Sequence, residues 1–446
     1  MNRDLPRATA RDLSAVVAAA LLVGAAVLAG ARIQDRHGTL RVNWPPLLAD
    51  WAPHTGPGTP AALVVAAAVV AYGPSLAARL SWRPLLLAVW AASLAWTWSL
   101  ALADGWHRGV AGQLTTPHEY LRAVDRFRDV PAALRTFDAH ILLDSPDNWP
   151  AHVAGHPPGA TLVFVLLDRA GLGGGGWAGA FVITTGTTAA VAVLIAVRRL
   201  ADESLARRAA PFLVLAPAAV WVGTSADGFF TAVAAWAVAL FASAVTGRHP
   251  ARTGLGAGLL SGLTVYLSYG LTLFAVIGAA VLLLGTRRLP ALPYAVAGFL
   301  VVPAVFTALG FDWWEAYRLL VTRYHQGAGG VRPYGYWVWA NLACTVLITG
   351  PATVAGLRRA GGLLTGVRGL PPRAAAPRLA LLAGAALVAL LIADLSGMSK
   401  AETERIWLPF AFWLLPAAAF LPGARAWLAG QAVLALLLNH LLLTGW

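Results

Sequence analysis

One cysteine, one lysine and two methionines are all that 446 residues contain of those types. Cys344 on its own excludes an intramolecular disulfide and a multi-cysteine metal centre, and leaves the redox compartment undetermined. Lys400 stands alone among arginines, so its charge is not part of a lysine-rich surface. Charge of either sign is scarce, at 12% of residues against 58% hydrophobic, and a chain of this length has no soluble core large enough to hide that much apolar surface. Short segments of alternating polarity are also missing, which argues against an outer-membrane barrel. No sequence match relates the two halves, so a repeat array is not indicated.

Long apolar runs are what the sequence does have. Crossing about 30 Å of hydrocarbon takes roughly 20 helical residues, and the runs 13–33, 61–78 and 85–103 supply them first. Others follow at 177–197, 209–224, 228–245, 254–267, 270–284, 291–309, 336–357, 379–394, 406–421 and 426–443. The pattern predicts an all-α integral membrane protein of about 13 transmembrane helices, forming a single polytopic domain over 1–446. The stretch 159–170 contains Asp168, is too short to cross, and reads as interfacial or re-entrant. The N-terminal run ends near Ala29-Gly30-Ala31, which resembles a signal-peptidase site, but it exceeds the usual signal core of roughly 7–15 residues and reads as a retained first span.

Threading these spans with the N-terminus in the cytoplasm places the whole of the net +13 charge on one face. Arg3, Arg7, Arg11, Arg79, Arg83, Arg198, Arg199, Arg207, Arg208, Arg248, Arg252, Arg287, Arg288, Arg358, Arg359, Arg368, Arg373, Arg378 and Arg425 fall inside, against only Asp4, Asp12, Asp202 and Glu203. The basic excess is therefore topological, and no nucleic-acid partner is expected. The Arg-, Gly- and Pro-rich segment 358–377 reads as a cytoplasmic linker. High arginine and alanine content suggests a GC-rich bacterial genome, which places the chain in a bacterial cytoplasmic membrane.

The outer face collects the chemically costly groups. The loop 105–157 is the main extramembrane element, with Tyr120, Val124, Phe127, Val130, Leu134 and Phe137 at helical spacing. That periodicity predicts amphipathic juxtamembrane helices on the outer leaflet, divided at Pro131. Asp104 closes the third span and Glu119 follows in the loop. A carboxylate partly desolvated at that depth gains proton affinity and suits general-base work; position alone also fits a helix-ending Asp in headgroup water. His156-Pro157-Pro158-Gly159 ends the loop at a rigid corner, where the histidine reads as site lining or as an interfacial cap. Asp227, in the turn Thr224 to Gly228, adds a carboxylate or an Asx turn.

Cations come from two later outer segments. Arg323 and Arg332 come in one segment with the aromatic Tyr334, Tyr336 and Trp337, and Lys400, Glu404 and Arg405 lie close together further on. Guanidinium forks grip phosphate oxygens and aromatic rings lie against sugar faces; the same rings also suit an interfacial belt. The acids, with His152 and His156, are compatible with a divalent metal whose ligands the spacing does not define.

These features together resemble the GT-C superfamily of polytopic glycosyltransferases, in its protein mannosyltransferase-like and lipopolysaccharide-core-transferase-like branch. Asp104, the Glu119-containing loop, His156-Pro157-Pro158-Gly159 and Glu404-Arg405-Ile406-Trp407 carry the resemblance, which covers about residues 84–420 mainly as architecture. It implies transfer of a hexosyl or pentosyl group from a polyprenyl-phosphate donor to a glycan, lipid or protein acceptor at the outer face. Asp104 would be the general base with Glu119 assisting. His156, Asp227, Arg323, Arg332, Tyr334, Lys400, Glu404 and Arg405 would bind substrate, the cations steadying the phosphate leaving group. Two departures stand out. The family's acid commonly follows the first span, which makes Asp35 the alternative to Asp104, and Gly159 stands where many relatives carry a larger apolar residue. A transporter or flippase of lipid-linked sugars is the competing class; it would concentrate charge near the bilayer midplane, whereas here charge flanks the spans.

Overall fold

The computed structural model describes residues 4–247, 249–366, 369 and 373–445. Arg3, Arg248 and Arg368, three of the cations assigned to the inner face, lie outside the described residues, as do positions 367 and 370–372 of the expected linker. The fold is all-α apart from one short strand pair. Helix α1 (Asp4–His37) leads into an irregular loop containing β1 (Ala49–Trp51), then α2 (Thr59–Arg79) and α3 (Trp82–Ala101) form a hairpin. The segment 105–157 holds a 3-10 helix at Tyr120–Phe127, then α4 (Val130–Arg135) and α5 (Ala151–Ala154). There follow α6 (Gly159–Arg169), α7 (Gly175–Gly186), α8 (Thr188–Leu200), α9 (Glu203–Val214), α10 (Ala219–Val222) and α11 (Ala226–Thr246). The remainder comprises α12 (Pro250–Leu267), α13 (Phe274–Leu284), α14 (Arg288–Ala308), α15 (Trp313–Gln326), α16 (Ala328–Val331), α17 (Tyr334–Thr349), α18 (Pro351–Thr365), α19 (Ala375–Leu395), α20 (Thr403–Ile406), α21 (Leu408–Ala411), α22 (Ala424–Leu441) and β2 (Leu442–Thr444).

Seven helical segments among the described residues are long and apolar enough to cross a bilayer, and the pair α17 and α18, bent by 110°, makes an eighth if taken as one span. The other expected crossings are shorter, broken or less apolar, and proline accounts for much of the breakage. Run 209–224 divides between α9 and α10 around Pro217, and run 406–421 divides into α20, α21 and a 3-10 turn at Leu415–Phe420 that begins beside Pro416. Helix α6 has 11 residues, about 16 Å of rise, which agrees with an interfacial or re-entrant segment. Helix α18 continues to Thr365, so helix occupies the first part of the expected linker. Arg358 and Arg359 tie that helix to the buried Asp12 of α1 at 2.6 Å each.

Burial grades outward from α11. Its apolar stretch is 72% buried inside the protein, against 11% for that of α1, so α11 is the central post and α1 lies at the periphery. The segment 105–157 turns its apolar side inward, not onto the leaflet. Tyr120, Phe127, Leu134 and Phe137 are buried, and Trp149 stacks with Phe127 and Phe137 at 5.6 and 5.3 Å. Own-chain core is the better solvent for these rings because it also satisfies polar groups: Arg169 donates to the carbonyls of Phe127 and Arg128, and Trp149 Nε1 to that of Phe137. Near the chain end, β2 pairs antiparallel with β1, Ala49 opposite Thr444, and so clamps the 38–58 loop over the same end of the bundle.

Candidate functional site

A chain of charged side chains closes that end. Asp227 stands in the first turn of α11, where helix N-terminal amides favour a carboxylate, and Ser225 Oγ donates to its Oδ2 at 3.0 Å. Arg405 of α20 donates Nη1 to Asp227 Oδ2 at 2.7 Å and Nη2 to Glu402 Oε2 at 2.8 Å. Arg332 reaches the other oxygen of Glu402 at 3.2 Å and also donates to the carbonyls of Leu40 and Lys400. Glu402 therefore bridges two guanidiniums. It does so from a left-handed backbone, φ +63°, beside Ala401 at φ +69°. Two consecutive non-glycine residues there cost of order 1–3 kcal/mol each, strain that the bridge offsets.

The network continues through histidine. Arg405 Nη2 lies 3.0 Å from His152 Nε2, and because a guanidinium only donates, that ring nitrogen is the acceptor. His152 consequently carries its hydrogen on Nδ1, which lies 2.9 Å from Glu119 Oε1. Glu119 is placed there as the cap of the 3-10 helix Tyr120–Phe127, and His152 by the short α5. His156 donates Nδ1 to the carbonyl of His152 at 2.8 Å and packs edge-on to Tyr120, 5.7 Å between ring centroids. Burial pushes His156 down to about 4, so it is neutral at physiological pH. The corner it occupies is tight: a side chain at Gly159 would meet the carbonyl of Tyr266 at 2.4 Å, which explains glycine after the two prolines.

Charge is balanced unevenly along this chain. Burial would raise Glu402, but Arg405 and Arg332 outweigh it and bring the carboxyl down to about 2. Burial would likewise lower Arg405, but Asp227, Glu402 and Glu119 raise it above the ordinary arginine value. Glu404, one residue away, is different. Burial pushes it up to about 7; its Oε1 accepts the Leu48 amide at 3.0 Å, and its Oε2 has no partner among the described residues.

Asp104 belongs to a second cluster. His54 Nε2 lies 2.7 Å from its Oδ1 and Arg108 Nε 3.7 Å from its Oδ2. His54 Nδ1 is 2.8 Å from the carbonyl of Ala52 and must donate to it, so one further proton is shared between Nε2 and the carboxylate. His440 stacks on His54 at 6.2 Å and contacts Thr59 Oγ1 at 2.9 Å. A cavity of about 10 Å³, the size of a single water, is lined by Asp104, Thr224, Asn439 and Thr444. Thr224 lines this cavity while Ser225 and Asp227 belong to the first cluster, so the turn between α10 and α11 separates the two.

The structure thus joins Glu119, Asp227, Arg405 and Arg332 in one network with His156 against it, and sets Asp104 in another. Lys400 donates Nζ to the carbonyl of Gly329 at 2.9 Å and lies over the Tyr324 ring. Arg323 turns to Asn148 and the Trp149 carbonyl, and Tyr334 bonds the carbonyl of Leu395, both outside the network. Residues missing from the sequence-derived site are Glu402, His54 and His440, and His152 entered it only as a conceivable metal ligand. Their signal was weak: single polar residues in loops or at a helix end. Among the described residues no group of three or more His, Cys, Asp or Glu is arranged to hold a metal ion.

No family model and no curated protein matches the chain. Two solved structures of the Archaeoglobus fulgidus oligosaccharyltransferase are similar to it. One is a complex with Zn and sulfate, with 14% identity and TM-score 0.41 over 77% of this chain and 53% of that one. The other is tethered to an acceptor peptide containing the NVT sequon, with 14% identity and TM-score 0.42 over 77% of this chain and 49% of that one. The chain spans about half the length of these structures.

Proposed function

We propose that this multi-pass membrane protein is a glycosyltransferase of GT-C type. It would transfer a sugar from a polyprenyl-phosphate donor to a glycan, lipid or protein acceptor at the outer face of a bacterial cytoplasmic membrane, with its N-terminus in the cytoplasm. The observation that carries this reading is the gathering of Glu119, His152, Arg405, Asp227, Glu402 and Arg332 into one buried network at the end of the bundle where Asp104 is held by His54. Buried charge is expensive, and a fold that keeps this much at one membrane face has a use for it.

The chemistry fits a donor whose leaving group is already a phosphate. An acceptor hydroxyl attacks the anomeric carbon, its proton passes to a carboxylate, and the bond to phosphate breaks with charge building on the phosphate oxygens. Asp104 is the proposed base through Oδ2, because Oδ1 is committed to His54. Glu119 assists as the carboxylate that takes the Nδ1 hydrogen of neutral His152. Arg405 and Arg332 meet the departing phosphate by exchanging carboxylate partners for it, with Lys400, Arg323 and Tyr334 proposed to meet substrate outside that network and Glu404 buried on the Leu48 amide. Reconstituted protein supplied with a panel of polyprenyl-phosphate sugars and candidate acceptors, with products resolved by mass, tests this. Sugar-bearing acceptor is the expected product; movement of donor between leaflets with no transfer product would instead make the chain a flippase.

A further inference from the structure

A second cavity lies at the opposite end of the bundle from Asp104. Helix α3 and the 3-10 turn that follows it end at that residue, the α2–α3 turn is at the far end of α3, and α2 and α22 reach the same far end with Arg79 and Arg425. The cavity measures about 90 Å³, several times the roughly 10–15 Å³ that admits one water. Pro74, Phe212, Ala419 and Leu421 give it apolar walls, Arg207 and Arg208 are its charged lining, and no acid lines it.

The two arginines are not equivalent. Arg207 is consumed: Nε and Nη2 bond Glu203 at 2.9 and 2.6 Å, and Nη1 bonds the carbonyls of Ala77 and Leu80. Arg208 is exposed and uses Nη2 alone, on the carbonyl of Leu421 at 3.1 Å; its Nε and Nη1 have no partner among the described residues. Arg79 and Arg425, both exposed, follow directly on the lining residues Ala78 and Ala424. The only acid in these contacts, Glu203, already holds Arg198 and Arg207.

A cationic rim over an apolar slot at the end of lipid-facing helices has the chemistry of an anionic lipid, a phosphate diester continuing into hydrocarbon. We infer that this cavity binds one anionic phospholipid of the adjoining leaflet, its phosphate on the open edge of the Arg208 guanidinium between Arg79 and Arg425, and its chain along Pro74, Phe212 and Ala419. The site stands apart from the proposed transferase centre and does not depend on it.

Native mass spectrometry of the full chain, released from nanodiscs of phosphatidylglycerol or of phosphatidylcholine, reads the occupant directly. Wild-type protein is expected to retain one phosphatidylglycerol and no phosphatidylcholine at the same detergent load. Arg208→Gln should cut retention about tenfold or more by removing a charge-assisted fork, and Ala419→Leu should cut it by filling the slot with no change of charge. Arg208→Lys, the milder variant, should give an intermediate loss and serves if Arg208→Gln does not accumulate. Millimolar inorganic phosphate should leave retention unchanged. Equal retention of both lipids, displacement by inorganic phosphate, or full retention in Ala419→Leu would overturn the assignment.

Discussion

Arg405 is the residue on which the buried charge depends. It is nearly inaccessible and contacts Asp227 and Glu402, and its bond to His152 fixes the tautomer that serves Glu119. Arg405→Ala should therefore strand two carboxylates at once, and removal of one partner from a buried pair costs about 3–5 kcal/mol. Arg405→Lys keeps the charge but cannot span both acids, so it should fall between wild type and Arg405→Ala in thermal unfolding of the detergent-solubilised protein. Glu404 makes a separate, pH-dependent contribution. Its folded value of about 7 lies above the ordinary 4.5, so the folded state holds a proton that the unfolded state has released between those pH values. The stabilisation is complete below about pH 4.5 and is lost as pH rises through about 7. Glu404→Gln, a permanent mimic of the protonated form, should flatten the fall in unfolding temperature across that window; an unchanged slope would assign the effect to other groups.

At the scale of elements, close backbone approach decides where helices sit. Helices α12 and α14 pack through Gly258, Gly262 and Gly298: a Cβ at Gly258 would meet the carbonyl of Ala295 at 2.1 Å, and one at Gly298 that of Leu255 at 2.3 Å. Without water to drive association, small residues that let backbones touch are what hold such a pair in lipid. Gly258→Leu should separate the two helices and lower the unfolding temperature, while Gly24→Leu on the exposed part of α1, with nothing within 4 Å, should not. Elements also mark how far the sequence can be read. Charge signs in loops were enough to put Asp227 and Arg405 at one end of the spans, because the positive-inside rule asks for nothing more. Pairing them across 178 residues required the fold. Glu402 was passed over because its role rests on a left-handed backbone that no composition announces, and His54 because a loop histidine gains meaning only once α22 brings His440 against it. The apolar runs marked the helices well, but the run interrupted at Pro217 was read as a continuous crossing when the chain breaks there, and run 406–421 passes into a 3-10 turn beside Pro416.

For the whole molecule the proposal requires two chemically distinct ends. Arg358, Arg359, Arg207 and Arg378 are bound at one end by Asp12, Glu203 and helix carbonyls, and the acid-rich networks of Asp104 and Asp227 occupy the other. Single cysteines at the exposed Asp125 and Arg199, in a Cys344→Ala background, should label oppositely with an impermeant reagent in intact cells, Asp125→Cys from outside and Arg199→Cys only after permeabilisation. The most direct test of the central claim is single-turnover sugar transfer in sealed vesicles of known orientation, comparing wild type, Asp104→Asn and Asp35→Asn with a confirmed donor and an impermeant acceptor. Wild type should transfer only to acceptor on the face that carries Asp104. Asp104→Asn should bind donor normally yet transfer roughly 10² to 10⁴-fold more slowly, with Asp35→Asn little changed. Near-normal transfer by Asp104→Asn, or a collapse confined to Asp35→Asn, would contradict the account.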